Sequence, residues 1–209
     1  MPTFKHSPTG KRFFFAHIPR TAGRFIISNI MFKNKCDWDD LHLGEDKMYN
    51  LYEGMEIGHF HKDYYEKYLK VKGIPHFSIV RNPITRFKSA SIYLKRYIGE
   101  NIEKDMEDPK IFSSTIKALG WHHSEAANWF RPQIDFMNNE TKIWKFEYGF
   151  EKKFATWISS IVGIDLIFDR KVEYPMQKDE SNKFILTSNH IDNIRNYYKD
   201  DFTEFYPDQ

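Results

Sequence analysis

Apolar and polar residues along this chain come in blocks. Residues 12–18 (RFFFAHI) are nearly all apolar, the pattern of a strand buried on both faces of a parallel sheet. A polar turn follows, and then Phe25, Ile26, Ile30 and Met31 recur at helical spacing, predicting a helix over 24–33. The same order of apolar run, tight polar turn and amphipathic stretch returns at 76–89. There His76–Val80 is the strand, Asn82 a helix N-cap and Pro83 a first helical residue. Ile84, Phe87, Ser91 and Leu94 form the predicted core stripe of that helix, with Arg86 and Ser89 opposite it.

The pattern further predicts strands at 55–59 and 142–146 and helices at 62–71, 109–119, 124–137, 150–162 and 187–198. Gly73 and Pro75 stop the first of these helices, and Pro132 divides the one over 124–137. Residues 34–53 read as an irregular excursion and 99–120 as an inserted, charged segment. Strands alternating with helices predict one α/β domain over 1–209, with a central, mainly parallel sheet flanked by helices.

Composition narrows the function classes. The 209 residues carry a net charge of only +2, so a general nucleic-acid coat is not expected and any anion site must come from local clustering. One cysteine, Cys36, permits no intramolecular disulfide and reads as a semi-buried thiol. No apolar stretch is long enough for a signal peptide or a membrane span, which predicts a soluble, cytoplasmic protein without a membrane partner. Aromatics make up 17% of the chain; most must be core, including Trp121, Trp129 and Trp144.

The chemistry gathers at the two repeated turns. In Pro19-Arg20-Thr21-Ala22-Gly23-Arg24, small residues let backbone N–H groups approach an anion, and Arg20 and Arg24 supply charge. The Walker A spacing Gly-x-x-x-x-Gly-Lys-Ser/Thr is absent. Arg81 leaves the carboxyl end of the second strand, where ligands of such sheets bind, and can converge with Ser89 on a phosphate.

These two segments resemble the 5′-phosphosulfate and 3′-phosphate motifs of sulfotransferases that use 3′-phosphoadenosine 5′-phosphosulfate (PAPS), above all the Golgi-type carbohydrate group. That group's motifs read approximately Ile-Pro-Lys-Thr-Gly-Gly-Thr-Ser and Arg-Asp-Pro-x-x-Arg-x-x-Ser; the matches are Ile18–Gly23 and Arg81–Ser89. Gly58-His59, Arg131-Pro132-Gln133, Phe146-Glu147 and the run Tyr198 to Phe205 also resemble family segments, in the family's order. Arg20 stands where the family has lysine, and Arg24-Phe25 where it has Thr-Ser.

The resemblance implies a P-loop-NTPase-like sulfotransferase fold. It implies PAPS as donor, PAP as product, no metal, and a hydroxyl acceptor such as a glycan. It places the nucleotide on Arg20, Thr21, Ala22, Gly23, Arg24, Phe25, Arg81, Ser89 and Lys183, with Arg20 also stabilising the leaving phosphate. Lys178, Asn182 and Lys183 fall in a loop that closes over the nucleotide or contacts substrate in that family. His59 is the favoured general base, with His61 on the same face of an extended strand and Glu56 as the carboxylate alternative. Animal relatives are usually Golgi membrane proteins, whereas this chain reads as a compact version of bacterial or viral type. Two other classes stay open: a nucleotide kinase-like phosphoryl transferase, and a binding module without turnover. Neither the acceptor nor the oligomeric state is legible.

Overall fold

The computed structural model describes residues 3–39, 51–52, 55–97, 99, 102–121, 128–167 and 184–209. It is an α/β fold. The sheet runs in the order β3-β1-β2-β6-β7, with β1 Thr3–His6, β2 Arg12–Ala16, β3 Cys36–Trp38, β6 His76–Val80 and β7 Thr141–Lys145. A separate two-stranded ribbon pairs β4 Leu51–Tyr52 with β5 Met55–Glu56.

The sheet is mixed rather than mainly parallel. β2, β6 and β7 pair in parallel, while β1 joins β2 and β3 antiparallel. The correction lies at the far edge: β1 was not predicted, and β3 falls in the stretch read as irregular. The parallel centre forms as expected because its strands are apolar throughout. Phe13 and Phe15 face one buried cluster with Phe77, Ile79, Ile26 and Phe154; Phe14 and Ala16 face the other with Ile57, Phe60 and Tyr65. Fully burying each such aromatic contributes roughly 1.5–3 kcal/mol.

The helix expected over 24–33 is composite. An α-turn, α1 Gly23–Ile26, opens into a π-turn at Ile27–Met31 and closes as a 3₁₀ turn at Phe32–Asn34. Asn34 terminates it, donating Nδ2 to the Ile30 carbonyl and clamping Ile167. The strand expected over 55–59 ends at Glu56, and Ile57–His59 forms a 3₁₀ turn leading into α2 Lys62–Tyr68.

Helix α3, Pro83–Tyr97, starts as predicted: Asn82 Oδ1 accepts from the backbone N–H of Ile84 and Thr85 at 3.0 and 3.2 Å. The described part of 99–120 contributes to the core. Ile102, Met106, Phe112 and Ile116, the last two on α4 Pro109–Trp121, pack in the cluster that buries Phe87 and Leu94. The described part of 124–137 is a turn and a 3₁₀ turn at Gln133–Phe136 rather than a helix, consistent with Pro132 interrupting it. The chain closes with α5 Lys152–Val162, α6 Ser188–Tyr197 and α7 Lys199–Phe205. Cys36 is buried, and burial pushes its thiol up to about 11. Among the described residues no helix is long and apolar enough to cross a membrane.

Candidate anion site and histidine row

The loop after β2 is held in an uncommon conformation. Arg20 and Ala22 both have positive φ, 68° and 75°, on either side of Thr21. Left-handed non-glycine residues cost roughly 1–3 kcal/mol each and persist only where the surroundings enforce them. Here Thr21 is fully buried and donates Oγ1 to the Ile18 carbonyl at 2.8 Å. Its hydroxyl is therefore committed inward.

Arg20 reaches across to α3 and donates Nε and Nη2 to Ser89 Oγ at 3.2 and 3.1 Å. Arg81, at the end of β6, donates Nη1 to the Arg20 carbonyl at 3.3 Å and Nε to Thr85 Oγ1 at 3.1 Å, with its guanidinium 4.5 Å over the Phe146 ring. The two turns thus converge, as adjacent parallel strands require. The pairing differs from the expectation in one respect: the guanidinium on Ser89 belongs to Arg20, not Arg81. Burial lowers Arg81 most, Glu147 opposes this, and Arg20 and Arg86 add to it, leaving it at about 10. Arg81 is still charged at neutral pH, and it sits in a cluster of cations that an anion would relieve.

Arg24 joins from the start of α1 and donates Nη2 to Tyr93 Oη at 3.0 Å. Phe25 lies instead against Phe150, ring centroids 5.4 Å apart, with the packed side of α1. Lys183, Lys178 and Asn182 lie outside the described residues.

Beside the loop stands a row of titratable groups. Glu56 Oε2 and His59 Nδ1 are 2.8 Å apart, and the His59 and His17 rings are 4.6 Å apart. Burial raises Glu56, but the adjacent His59 outweighs it and holds the carboxyl below its usual range. An ionised carboxylate only accepts, so Nδ1 of His59 carries a hydrogen toward it. His17 is held well below its ordinary value by burial and then by His59. Its ring covers Gly23 so closely that an added Cβ would stand 1.6 Å from His17 Nε2. The Arg24 charge reaches both His17 and Glu56, which links this row to the anion site.

His59 and His61 do not share the face of an extended strand, because Ile57–His59 turns as a 3₁₀ helix. His61 is buried, with its ring against Tyr64. Burial, aided by the Arg131 charge, lowers it to about 4.

Four residues that the sequence reading did not place in the site hold it together. Arg86 is fully buried, not on the solvent side of α3. Its Nε donates to the Pro19 carbonyl at 3.3 Å, and its Nη2 to the carbonyls of Trp129 and Arg131 at 3.1 and 2.6 Å. Asn128, in the same turn, donates Nδ2 to the His59 carbonyl at 2.7 Å. Gln133 clamps the Arg81 backbone: its Oε1 accepts from the N–H at 2.9 Å and its Nε2 donates to the carbonyl at 2.8 Å. Asp201, also fully buried, accepts from the N–H groups of Gln133 and Ile134, both at 2.9 Å. The signal for Arg86 was available. Pro83, Arg86, Phe87, Ala90, Ser91 and Leu94 follow the alternating three- and four-residue spacing of a buried helix face.

A surface cleft of about 340 Å³ lined by Phe112, Lys117, Pro132, Asn193 and Tyr197, and one of about 540 Å³ lined by Glu151, Ala155 and Leu166, include none of these side chains. Comparisons with protein-family models, with curated proteins and with solved structures found no match to this chain.

Proposed function

We propose that the chain is a PAPS-dependent sulfotransferase on a P-loop-like α/β fold, acting on a hydroxyl acceptor such as a glycan. The observation that carries this reading is the convergence of Arg20, Ser89 and Arg81 from two neighbouring strand ends beside an oriented Glu56–His59 pair. A cluster of guanidiniums beside one hydroxyl suits a dianionic phosphate, and charge-assisted bonds of this kind contribute about 1.5–3 kcal/mol each. The 3′-phosphate of the donor is assigned to Arg81, Ser89 and Arg20. The 5′ end is assigned to the backbone N–H groups at Thr21–Gly23 and to Arg24.

In the reaction, His59 Nε2 takes the acceptor proton as the acceptor oxygen attacks sulfur. The bond from sulfur to the 5′-phosphate oxygen breaks in line, and PAP leaves with the electron pair. Glu56 stabilises the imidazolium that forms, as a carboxylate behind a catalytic histidine does. The cationic cluster stabilises charge on the departing phosphate. The fixed loop and the Gln133 clamp supply orientation without reorganisation at the moment of reaction.

The test is PAP release from PAPS in the presence of a panel of hydroxyl acceptors. Acceptor-dependent release that His59→Ala abolishes supports the proposal. Nucleotide binding with no release for any acceptor favours a binding module instead. Magnesium-dependent transfer from ATP in place of PAPS favours a phosphoryl transferase.

A further inference from the structure

Tyr93 lies one helical turn beyond Ser89 on α3, so its side chain shares a face with the Ser89 hydroxyl. The Arg20 guanidinium carbon stands 4.3 Å from the centre of its ring. The Arg24 guanidinium carbon is 5.9 Å from the same centre, and Arg24 Nη2 donates to the phenol oxygen at 3.0 Å. Trp129 meets the ring edge-on at 4.6 Å, an arrangement that fixes the phenol's orientation. Two like charges from one short loop are therefore gathered on a single phenol. Their repulsion is offset by the negative face of the ring and by the lone pair of its oxygen. Arg20 and Arg24 are also the two charged positions where the loop departs from the Lys and Thr of the motif it resembles.

We infer that Tyr93 is the positioning residue of the anion site, a clip that presents Arg20 and Arg24 together. The inference rests on the reading of that site as a nucleotide-phosphate site. It makes the three residues a linked set: an Arg/Arg loop needs the aromatic clip, and a Lys/Thr loop does not. It also gives Tyr93 a part in spacing the two halves of the site, because the Arg24 charge it holds is among those felt by both Glu56 and His17.

The test is a double-mutant cycle read by calorimetric titration with PAP. Tyr93→Phe keeps the ring, loses the bond to Arg24, and is expected to weaken PAP by about threefold. Tyr93→Leu loses both contacts and is expected to weaken it by about tenfold or more. In an Arg20→Lys/Arg24→Thr background, Tyr93→Leu is expected to change PAP affinity by less than about twofold. Equal losses in the two backgrounds overturn the inference, because they assign Tyr93 to general packing alone. A ligand-free arm separates this inference from the functional reading. The guanidinium resonances of Arg20 and Arg24 are expected to be shifted by the ring current of Tyr93 in the wild type and to lose that shift in Tyr93→Leu. Unchanged shifts overturn the clip. If the wild type binds no PAP, the proposed function falls, and the resonances still decide whether Tyr93 holds the two arginines.

Discussion

Replacing Gly23 with alanine is expected to destabilise the protein through one contact, the one with His17. A Cβ at position 23 would lie 1.6 Å from Nε2, 2.2 Å from Cδ2 and 2.4 Å from Cε1 of that ring, where ordinary contact begins at 3.4 Å. The ring is not free to swing aside. It stacks on Phe15 at 5.3 Å, abuts His59 at 4.6 Å and bonds to the Gly58 backbone. Overpacking of this kind costs about 1–3 kcal/mol. For a chain of this length that lowers Tm by roughly 2–12 °C, at about 2–4 °C per kcal/mol. Thermal unfolding followed by circular dichroism measures it. The decisive variant is the double replacement Gly23→Ala/His17→Ala, in which the obstructing ring is gone. The double variant is expected to be no less stable than His17→Ala alone. A Gly23→Ala protein with wild-type Tm, or destabilisations that simply add, would refute the argument that His17 is what excludes a side chain at position 23.

Other expectations follow from the same site. Arg81→Ala removes the cation at the end of β6 and is expected to weaken PAP by about 10- to 100-fold, while affinity for adenosine 5′-phosphate changes little; equal losses for both ligands would count against the 3′-phosphate assignment. His59→Ala is expected to lower kcat by about 10²–10⁴ with PAP affinity kept, and wild-type turnover would remove it from the mechanism. His61, held near 4 by burial, makes stability acid-sensitive. The unfolded chain takes up its proton near pH 6.5 while the native state resists it, so the stability present above pH 6.5 is lost as pH falls toward 4. Over that window the wild type is expected to lose up to about 3 kcal/mol more than His61→Gln in urea unfolding; parallel pH profiles would contradict this.

The parallel heart of the fold was legible because Arg12–Ala16 and His76–Val80 are continuous apolar runs ended by turn residues. That signal places both turns at neighbouring strand ends, and hence brings Arg20, Arg81 and Ser89 together. The edge strands were not legible. Thr3–His6 and Cys36–Trp38 are short, half polar, and form by pairing with each other and with β2 rather than by local pattern. The histidine pair was misplaced because period-two alternation was carried past Glu56, where the chain turns instead. Arg86 reads as lying opposite the stripe of Ile84, Phe87, Ser91 and Leu94, although its spacing with Phe87 and Ala90 belongs to the buried face; backbone carbonyls from three distant residues accept its hydrogen bonds. The supports from Asn128, Gln133 and Asp201 span dozens of residues in sequence, and no local pattern encodes such contacts.

The central claim is that the two turns form a site for a nucleotide carrying a 3′-phosphate. Calorimetric titration of the purified protein with 3′-phosphoadenosine 5′-phosphate, against adenosine 5′-phosphate as control, tests it most directly. Saturable binding, at least about tenfold tighter when the 3′-phosphate is present, is the expected result. Absence of binding, or equal affinity for the two nucleotides, would contradict it.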